Sequence, residues 1–304
     1  MSVSVIIPTF RRNDALERAA RSVFEQSLTP GEILIVDNSP EAGAQETCAK
    51  LKDLAPCPLV YIHEPNPGVS NARNSGFAKA QFGKVAQLDD DETASNDWLK
   101  SLVETSDAHE SALVFGPVRS APIAGVSGLK ADWLARLYSR IPDHETGLID
   151  EHYGCGNSLI DRNRVELPSP VFDIASNDVG GEDDVLFAYL VDHGALRAWS
   201  NEACVIEHVE DQRLNWRNMF QRSFSHGQSP TQYAAAAGRR HLIPFWMAVG
   251  AAQLLVFSAL ALPARILSTR ACAKCLDKAV QGLGKILWNS SLTPQFYGAA
   301  KLKP

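Results

Sequence analysis

The stretch KVAQLDDDE, residues 84–92, decides the fold class of this chain. Lys84 to Leu88 has the composition of a short buried strand, and it stops at three adjacent aspartates. Three neighbouring carboxylates repel one another unless a cation or ordered donors compensate. In extended backbone, residues i and i+2 face the same way. Asp89 and Asp91 can therefore address one ligand together while Asp90 points elsewhere. Hard oxygen donors suit Mg²⁺ or Mn²⁺, commonly shared with substrate phosphates. Taken alone, a solvated acidic loop explains the triplet equally well. Its place at a strand end favours a site.

Upstream, strand-like and helix-like patterns alternate. Ser2 to Ile7 is a compact β-branched run. Residues 14–28 place Leu16, Ala19, Ala20, Val23, Phe24 and Leu28 at helical spacing, with Asn13 as the expected N-cap. Glu32 to Val36 is a second buried strand, a polar helix follows near 41–53, Leu59 to His63 is a third strand, and 69–80 is a helix entered through Gly68. Short alternating units predict an α/β fold whose mostly parallel sheet is covered on both faces. Ligands of such sheets bind at the carboxyl ends of the strands. Thr9, Asp37 and Asp89 to Asp91 sit there.

Composition excludes several classes. The chain has 304 residues, 45% hydrophobic and 21% charged, which rules out disorder and collagen-like structure. A net charge of −6 argues against general attraction to nucleic acid. Six scattered cysteines do not make a disulfide framework and point to a reducing compartment. The apolar run at Val5 to Ile7 ends at Pro8 without a basic start, so it is not a secretion signal, and the catalytic part is expected in the cytoplasm.

Two further segments carry possible chemistry. Gly180-Gly181-Glu182-Asp183-Asp184 precedes an apolar helical run. Acids there can serve as caps or dipole partners, or one can act as a general base. Asn66 to Gly76, NPGVSNARNSG, puts Arg73 near the start of a helix, where a nucleotide base or phosphate could be met. A dinucleotide oxidoreductase is disfavoured, because the first strand leads to PTFRR and not to G-x-G-x-x-G. A nucleotidyltransferase would need a glycine-rich loop at the same place. The lone Cys272-Ala273-Lys274-Cys275 lacks further zinc ligands and is expected to be structural.

In order, VSVIIPTFRR, ILIVDNS, NPGVSNARNSGF, QLDDDE, YGCGNSLI and GGEDDVLF resemble the family 2 glycosyltransferases of the GT-A fold, over about residues 2–230. The segment Ala203 to Gln228 is similar to bacterial exopolysaccharide glucosyltransferases of the succinoglycan type. The resemblance implies a nucleotide pocket opened by Pro8, Thr9 and Arg11. It also implies Asp37 on the uracil imide, Arg73 on the base, Asp89 on the ribose with Asp90 beside it, and Asp91 on a Mn²⁺ or Mg²⁺ ion under the diphosphate. Gly156 and Asn157 would line the donor-sugar side, and Asp183 would be the catalytic base. His208 would be a further metal ligand or a structural histidine. One base without a covalent nucleophile implies single displacement with inversion. Gln212 to Trp216 only loosely resembles the motif of processive relatives, so addition of one sugar is expected. The implied partners are a nucleotide-sugar donor and a glycan or polyprenyl-linked acceptor. A membrane-tethered binding subunit without turnover is the alternative.

The texture changes near residue 240. Leu242 to Ala264 has no formal charge and is long enough to cross a bilayer, which needs about 20 residues. It is flanked by Arg239, Arg240 and His241 before and by Arg265 and Arg270 after. A buried core helix, a span, a re-entrant segment and an in-plane helix all fit. Residues 271–288 set Lys274, Lys278 and Lys285 beside an apolar stripe, as an anionic membrane surface would favour. The expected division is a GT-A domain over 1–235 and membrane-associating helices over 236–304, at the cytoplasmic face of the inner membrane.

Overall fold

The computed structural model describes residues 2–177, 180–236 and 238–294. They fall into two units. One is built from residues up to 119 together with 140–208, the other from 120–139 and 209–294.

The first unit begins with β1 (Val3–Thr9), α1 (Asn13–Phe24), β2 (Glu32–Asp37), α2 (Gln45–Lys52), β3 (Leu59–His63), α3 (Val69–Lys79) and β4 (Lys84–Leu88). β5 (Glu92–Ala94), α4 (Trp98–Ala108), β6 (Leu113–Phe115) and β7 (Val118–Ser120) follow. The second unit supplies α5 (Gly128–Tyr138). The first resumes with β8 (Gly147–Ile149), β9 (Asn157–Asp161), α6 (Glu182–Asp192), β10 (Arg197–Trp199) and β11 (Val205–Glu207). The main sheet runs β3-β2-β1-β4-β9-β6-β10-β8. β3, β2, β1 and β4 are parallel to one another, whereas β9 is antiparallel to both β4 and β6. A small sheet, β5-β11-β7, stands apart. The sheet is thus mixed, with a parallel half where strand–helix alternation was legible.

β2 is buried at every position, as a central strand covered on both faces must be. Alternate residues supply two cores. Val5, Ile7, Leu16, Ala20, Ile35 and Leu99 pack on one side, and Ile6, Leu34, Phe77, Phe115, Phe172 and Phe187 on the other. The register aligns Thr9 with Asp37 and Asp37 with His63, so the first three strands end level. Asn13 is not the cap of α1. Arg12 holds that position, and the Asn13 amide donates to the Gly43 carbonyl at 3.0 Å.

The second unit contains α5, α7 (Trp216–Ala236), α8 (Leu242–Leu267) and α9 (Thr269–Ile286). Its boundary differs from the expected 235/236. Both α7 and the distant α5 join the C-terminal helices, because buried Asp277 of α9 gathers polar groups from each. Arg136 donates to its Oδ2 at 3.0 Å, and Ser223 to its Oδ1 at 2.8 Å while accepting Trp133 Nε1 at 3.1 Å. Trp133, Leu134, Leu137, Met219 and Ala273 form the apolar centre. The α9 stripe therefore faces protein, and of its three lysines Lys285 is buried, Lys278 half-buried and Lys274 exposed. Cys272 and Cys275 are buried free thiols.

Candidate active site

The acid triplet follows β4, whose five residues are all buried, and turns directly into β5. The expected split of Asp90 from Asp91 is not seen, because one Arg12 nitrogen reaches both: Asp90 and Asp91 are buried, and Asp89 is partly exposed. Asp90 accepts the Thr9 hydroxyl at 2.7 Å and Arg12 Nη1 at 2.9 Å. Burial pushes its carboxyl up to about 6, although Arg12 pulls it back. Arg12 also donates to Asp91 at 3.1 Å, and Arg73 reaches Asp89 at 3.2 Å. Two arginines thus hold the triplet in place. Arg12 was missed in the sequence, where the adjacent Arg11 was expected to help open a nucleotide pocket. Arg11 has φ 58°, which turns it to the surface and onto Glu41 at 2.5 Å.

Glu92 is a second residue that sequence reasoning missed. Its carboxyl is pushed well above the usual carboxylate range by burial, and by Asp89, Glu207 and Asp91 around it. It accepts the Asp89 amide at 3.2 Å. Its register partner across β11 is Glu207, itself an acid, so alternation alone gives no signal that Glu92 is enclosed.

Arg73 is buried, with Phe172 beneath its guanidinium at 5.7 Å from the ring centroid. The sequence placed it on a nucleotide base. In the structure it bonds Glu182 of the GGEDD segment and Asp89 of the triplet. Its helix as a whole docks the chain that leads into α6. Asn74 exchanges two hydrogen bonds with the Phe172 backbone, each 2.8 Å. Ser70 Oγ donates to the Asp173 carbonyl at 2.9 Å, and Asn177 accepts the Ser70 amide at 2.9 Å, capping α3 from more than a hundred residues away.

Glu182 is buried on Arg73, and the next residue, Asp183, is half-buried. Asp183 Oδ2 accepts the Cys155 amide at 3.3 Å, and Oδ1 accepts the Asp184 amide at 2.9 Å. Residues 154–156 then join the two acidic elements. A Cβ on Gly154 would stand 3.2 Å from Asp183 Oδ2, whereas one on Gly156 would stand 2.6 Å from Asp89 Oδ2. Gly156 is a glycine because the triplet passes against its backbone. Thr9, Arg73, Asp89, Asp90, Asp91, Gly156 and Asp183 therefore share one rim. Arg140 completes it. Its Nη1 lies 3.0 Å from the same Gly154 point, and its guanidinium sits 5.6 Å from the Tyr153 ring centroid. Its buried Nε and Nη2 lack hydrogen-bond partners. Surrounding acids and the ring face offset that positive charge.

Other residues singled out in the sequence are employed elsewhere. Asp37 is fully buried and accepts from Ser39 N at 3.0 Å, Ser39 Oγ at 2.7 Å, Ala44 N at 2.8 Å and Tyr61 Oη at 3.0 Å. A carboxylate offers about four acceptor positions. Asp37 spends them on shaping the loop after β2, not on an open acceptor. Asn157 is also fully buried. It accepts Trp98 Nε1 at 2.8 Å and donates to the carbonyls of Pro117 at 3.1 Å and Ala203 at 2.8 Å. It ties strands together and does not line an open pocket. Asn157→Ala is expected to cost about 1–3 kcal/mol for each buried group left unpaired. A lower thermal midpoint with unchanged nucleotide affinity would show this; the opposite pattern would return Asn157 to the donor pocket. Pro8 is half-buried in β1 opposite Val36. His208 donates its backbone amide to the Asp91 carbonyl at 2.7 Å, while its Nε2 lies 3.0 Å from Thr93 Oγ1. Burial lowers its pKa, and Asp91 opposes that.

Among the described residues, no three His, Cys, Asp or Glu side chains converge to hold a metal. The donor set still fits a hard divalent ion that keeps water or substrate oxygens as its other ligands, since the rim offers carboxylates of Asp89 and Asp91 amid an excess of acids.

The sequence profile of Glycosyl transferase family 2 matches residues 4–166, more than half of the chain. This takes in the triplet and Gly156 but stops short of Asp183. The chain is 31% identical over 235 residues to the succinoglycan biosynthesis protein ExoM of Rhizobium meliloti (strain 1021), covering 75% of this chain and 74% of that protein. It is 28% identical over 148 residues to the glucosyl-dolichyl phosphate glucuronosyltransferase of Haloferax volcanii, with 47% and 43% covered. It is 32% identical over 102 residues to the putative teichuronic acid biosynthesis glycosyltransferase TuaG of Bacillus subtilis (strain 168), with 34% and 40% covered. Of these last two, less than half of each protein is matched.

Proposed function

This chain belongs to glycosyl transferase family 2, and from that premise we propose a single-sugar transfer with inversion. The donor is a nucleoside-diphosphate sugar, a UDP-sugar, and the acceptor is a hydroxyl of a glycan or polyprenyl-linked glycan in surface polysaccharide synthesis. The single observation that carries this reading is the shared rim. Residues 154–156 touch Asp183 on one side and Asp89 on the other, so a sugar between them could meet both groups. The similarity to a succinoglycan biosynthesis protein supports the polysaccharide context.

Each residue then has a task. Asp183 takes the proton from the attacking hydroxyl, as a carboxylate opposite the leaving group can. The Cys155 amide and the start of α6 aim it, and the buried Arg73–Glu182 pair fixes where α6 begins. Asp91 would hold Mn²⁺ or Mg²⁺, and Asp89 the ribose. Such an ion, when bound, neutralises charge on the departing diphosphate. Thr9 and Arg12 hold Asp90 inside and Arg12 also holds Asp91, while Asp89 stays partly exposed. Holding donor and acceptor in line supplies much of the rate. No side chain is placed as a covalent nucleophile in this scheme, so one displacement inverts the anomeric carbon.

The apolar α8 supports contact with a membrane surface, and the free cysteines fit the cytoplasmic face of an inner membrane. A hydrolysis screen across UDP-, GDP- and dTDP-sugars with Mn²⁺ tests the assignment. Turnover of a UDP-sugar is expected, whereas binding without turnover of any donor would favour a tethered binding subunit. Calorimetry should also show UDP affinity falling at least about tenfold after chelation, and Asp91→Asn should remove most of that difference. Equal affinity with and without metal would remove the role given to Asp91.

A further inference from the structure

The second unit leaves one helix uncovered, and its packing decides how that helix can meet lipid. Among the described residues, α8 is the only helix long and apolar enough to cross a bilayer, and 11% of its most apolar stretch is buried. Leu255, Leu262 and Ile266 are 72%, 80% and 86% exposed. We propose that α8 lies in the plane of an anionic lipid surface, with α9 on its water side, and does not cross the bilayer.

The argument rests on α9. Ser268 ends α8 and at once caps α9, its hydroxyl accepting the Ala271 amide at 3.0 Å. The two helices therefore form a hairpin. Far from that turn they still touch backbone to backbone. A Cβ on Gly250 would stand 2.6 Å from the Gly282 carbonyl oxygen, and one on Gly282 would stand 2.6 Å from that of Gly250. Gln253, a polar side chain within the apolar run, lies at this crossing, its Cβ 3.0 Å from the same Gly282 point. The pairing thus extends along α9, which carries Arg270, Lys274, Asp277, Lys278 and Lys285.

Were α8 upright in a bilayer, these charges would stand beside it at hydrocarbon depth. Asp277 would bring its partners Arg136 of α5 and Ser223 of α7 with it. Charged side chains at that depth are strongly disfavoured, and here several would enter together. Laid flat, α8 offers lipid an apolar strip about 39 Å long, while α9 and the helices behind it remain in water. The flanking charges agree. Arg239 and Arg240 precede the apolar run, and Arg265 and Arg270 follow it. An in-plane helix sets both pairs at the level of anionic headgroups, which attract them. A span would send one pair across the membrane, against the usual distribution of basic residues.

The test adds the full-length chain to preformed vesicles. Binding to phosphatidylglycerol–phosphatidylethanolamine vesicles is expected to be at least tenfold tighter than to phosphatidylcholine vesicles. The double substitution Leu255→Glu/Leu262→Glu should abolish co-sedimentation with an unchanged thermal melt. Single cysteines at the two ends of α8, His241→Cys and Ser268→Cys, should both react with an impermeant maleimide from the side of addition, above the background of the parent chain. This inference rests on the reading that the helical unit meets membrane. Failure to bind any vesicle, or a soluble oligomer dispersed by the double substitution, overturns both. Bound protein with one of the two cysteines protected overturns the in-plane placement alone.

Discussion

Asp183→Asn is expected to lower transfer by about 10²–10⁴-fold while UDP-sugar binding stays within a fewfold of the parent. The substitution keeps the shape of the side chain and an oxygen for the Cys155 amide, so the start of α6 should hold. What it removes is the ability to accept a proton from the incoming hydroxyl. Glu182, one residue earlier, cannot stand in, because it is buried and engaged by Arg73. The informative readout is the split between donor binding by calorimetry and turnover with acceptor. Transfer at more than a tenth of the parent rate would remove Asp183 as the base. Loss of donor affinity alongside turnover would mean that it positions the donor.

Arg73→Met should produce the largest loss of stability among single substitutions at this site. The side chains of Arg73 and Glu182 are 5% and 8% exposed, so removing the cation leaves a carboxyl enclosed without its partner. Breaking a buried pair in this way costs about 3–5 kcal/mol. Asp89 loses its contact at the same time, so transfer should fall with stability. A companion variant separates the two effects. Replacing both partners, Arg73→Met with Glu182→Leu, removes the stranded charge and should recover most of the lost thermal midpoint, because apolar replacements of buried pairs are often tolerated. It should not recover transfer, since Asp89 and the start of α6 remain without their common anchor. A double variant that is as active as the parent would reduce the arginine to a packing role. A single variant as stable as the parent would show that Glu182 is solvated or neutral without it.

Much of the parallel half of the sheet was legible along the chain. Strands covered on both faces show as unbroken apolar runs, and the helices between them repeat with a different period, so Ile33 to Val36 and the alternation of Leu16, Ala19, Ala20 and Val23 report their own burial. The acid triplet and the glycine-rich turn before Asp183 were visible for a related reason. Clustered like charges and paired glycines are costly anywhere except where backbone geometry or a ligand calls for them.

Partner choice was not legible. Adjacent Arg11 and Arg12 have the same chemistry, and a backbone with φ 58° at the first selects the second for the triplet. Arg73, Asp37 and Asn157 were identified as polar groups worth notice, but nothing local says whether a buried polar side chain serves a ligand or its own fold. That depends on which donors and acceptors the finished packing brings within about 3 Å: Glu182 for Arg73, Tyr61 for Asp37, Trp98 for Asn157. The same limit placed Lys285 with Lys274 and Lys278 on a membrane surface, although Lys285, like Asp277, belongs to the interior of the helical unit. By itself, then, the sequence determined the α/β class, the acids at the carboxyl ends of the parallel strands and the presence of an apolar helix. Hydrophobic periodicity and like-charge repulsion act over neighbouring residues. Only the tertiary structure decided which acids share a rim and which arginines hold them, because these hydrogen bonds and ion pairs join residues 16 to 109 positions apart and are settled by where the chain returns.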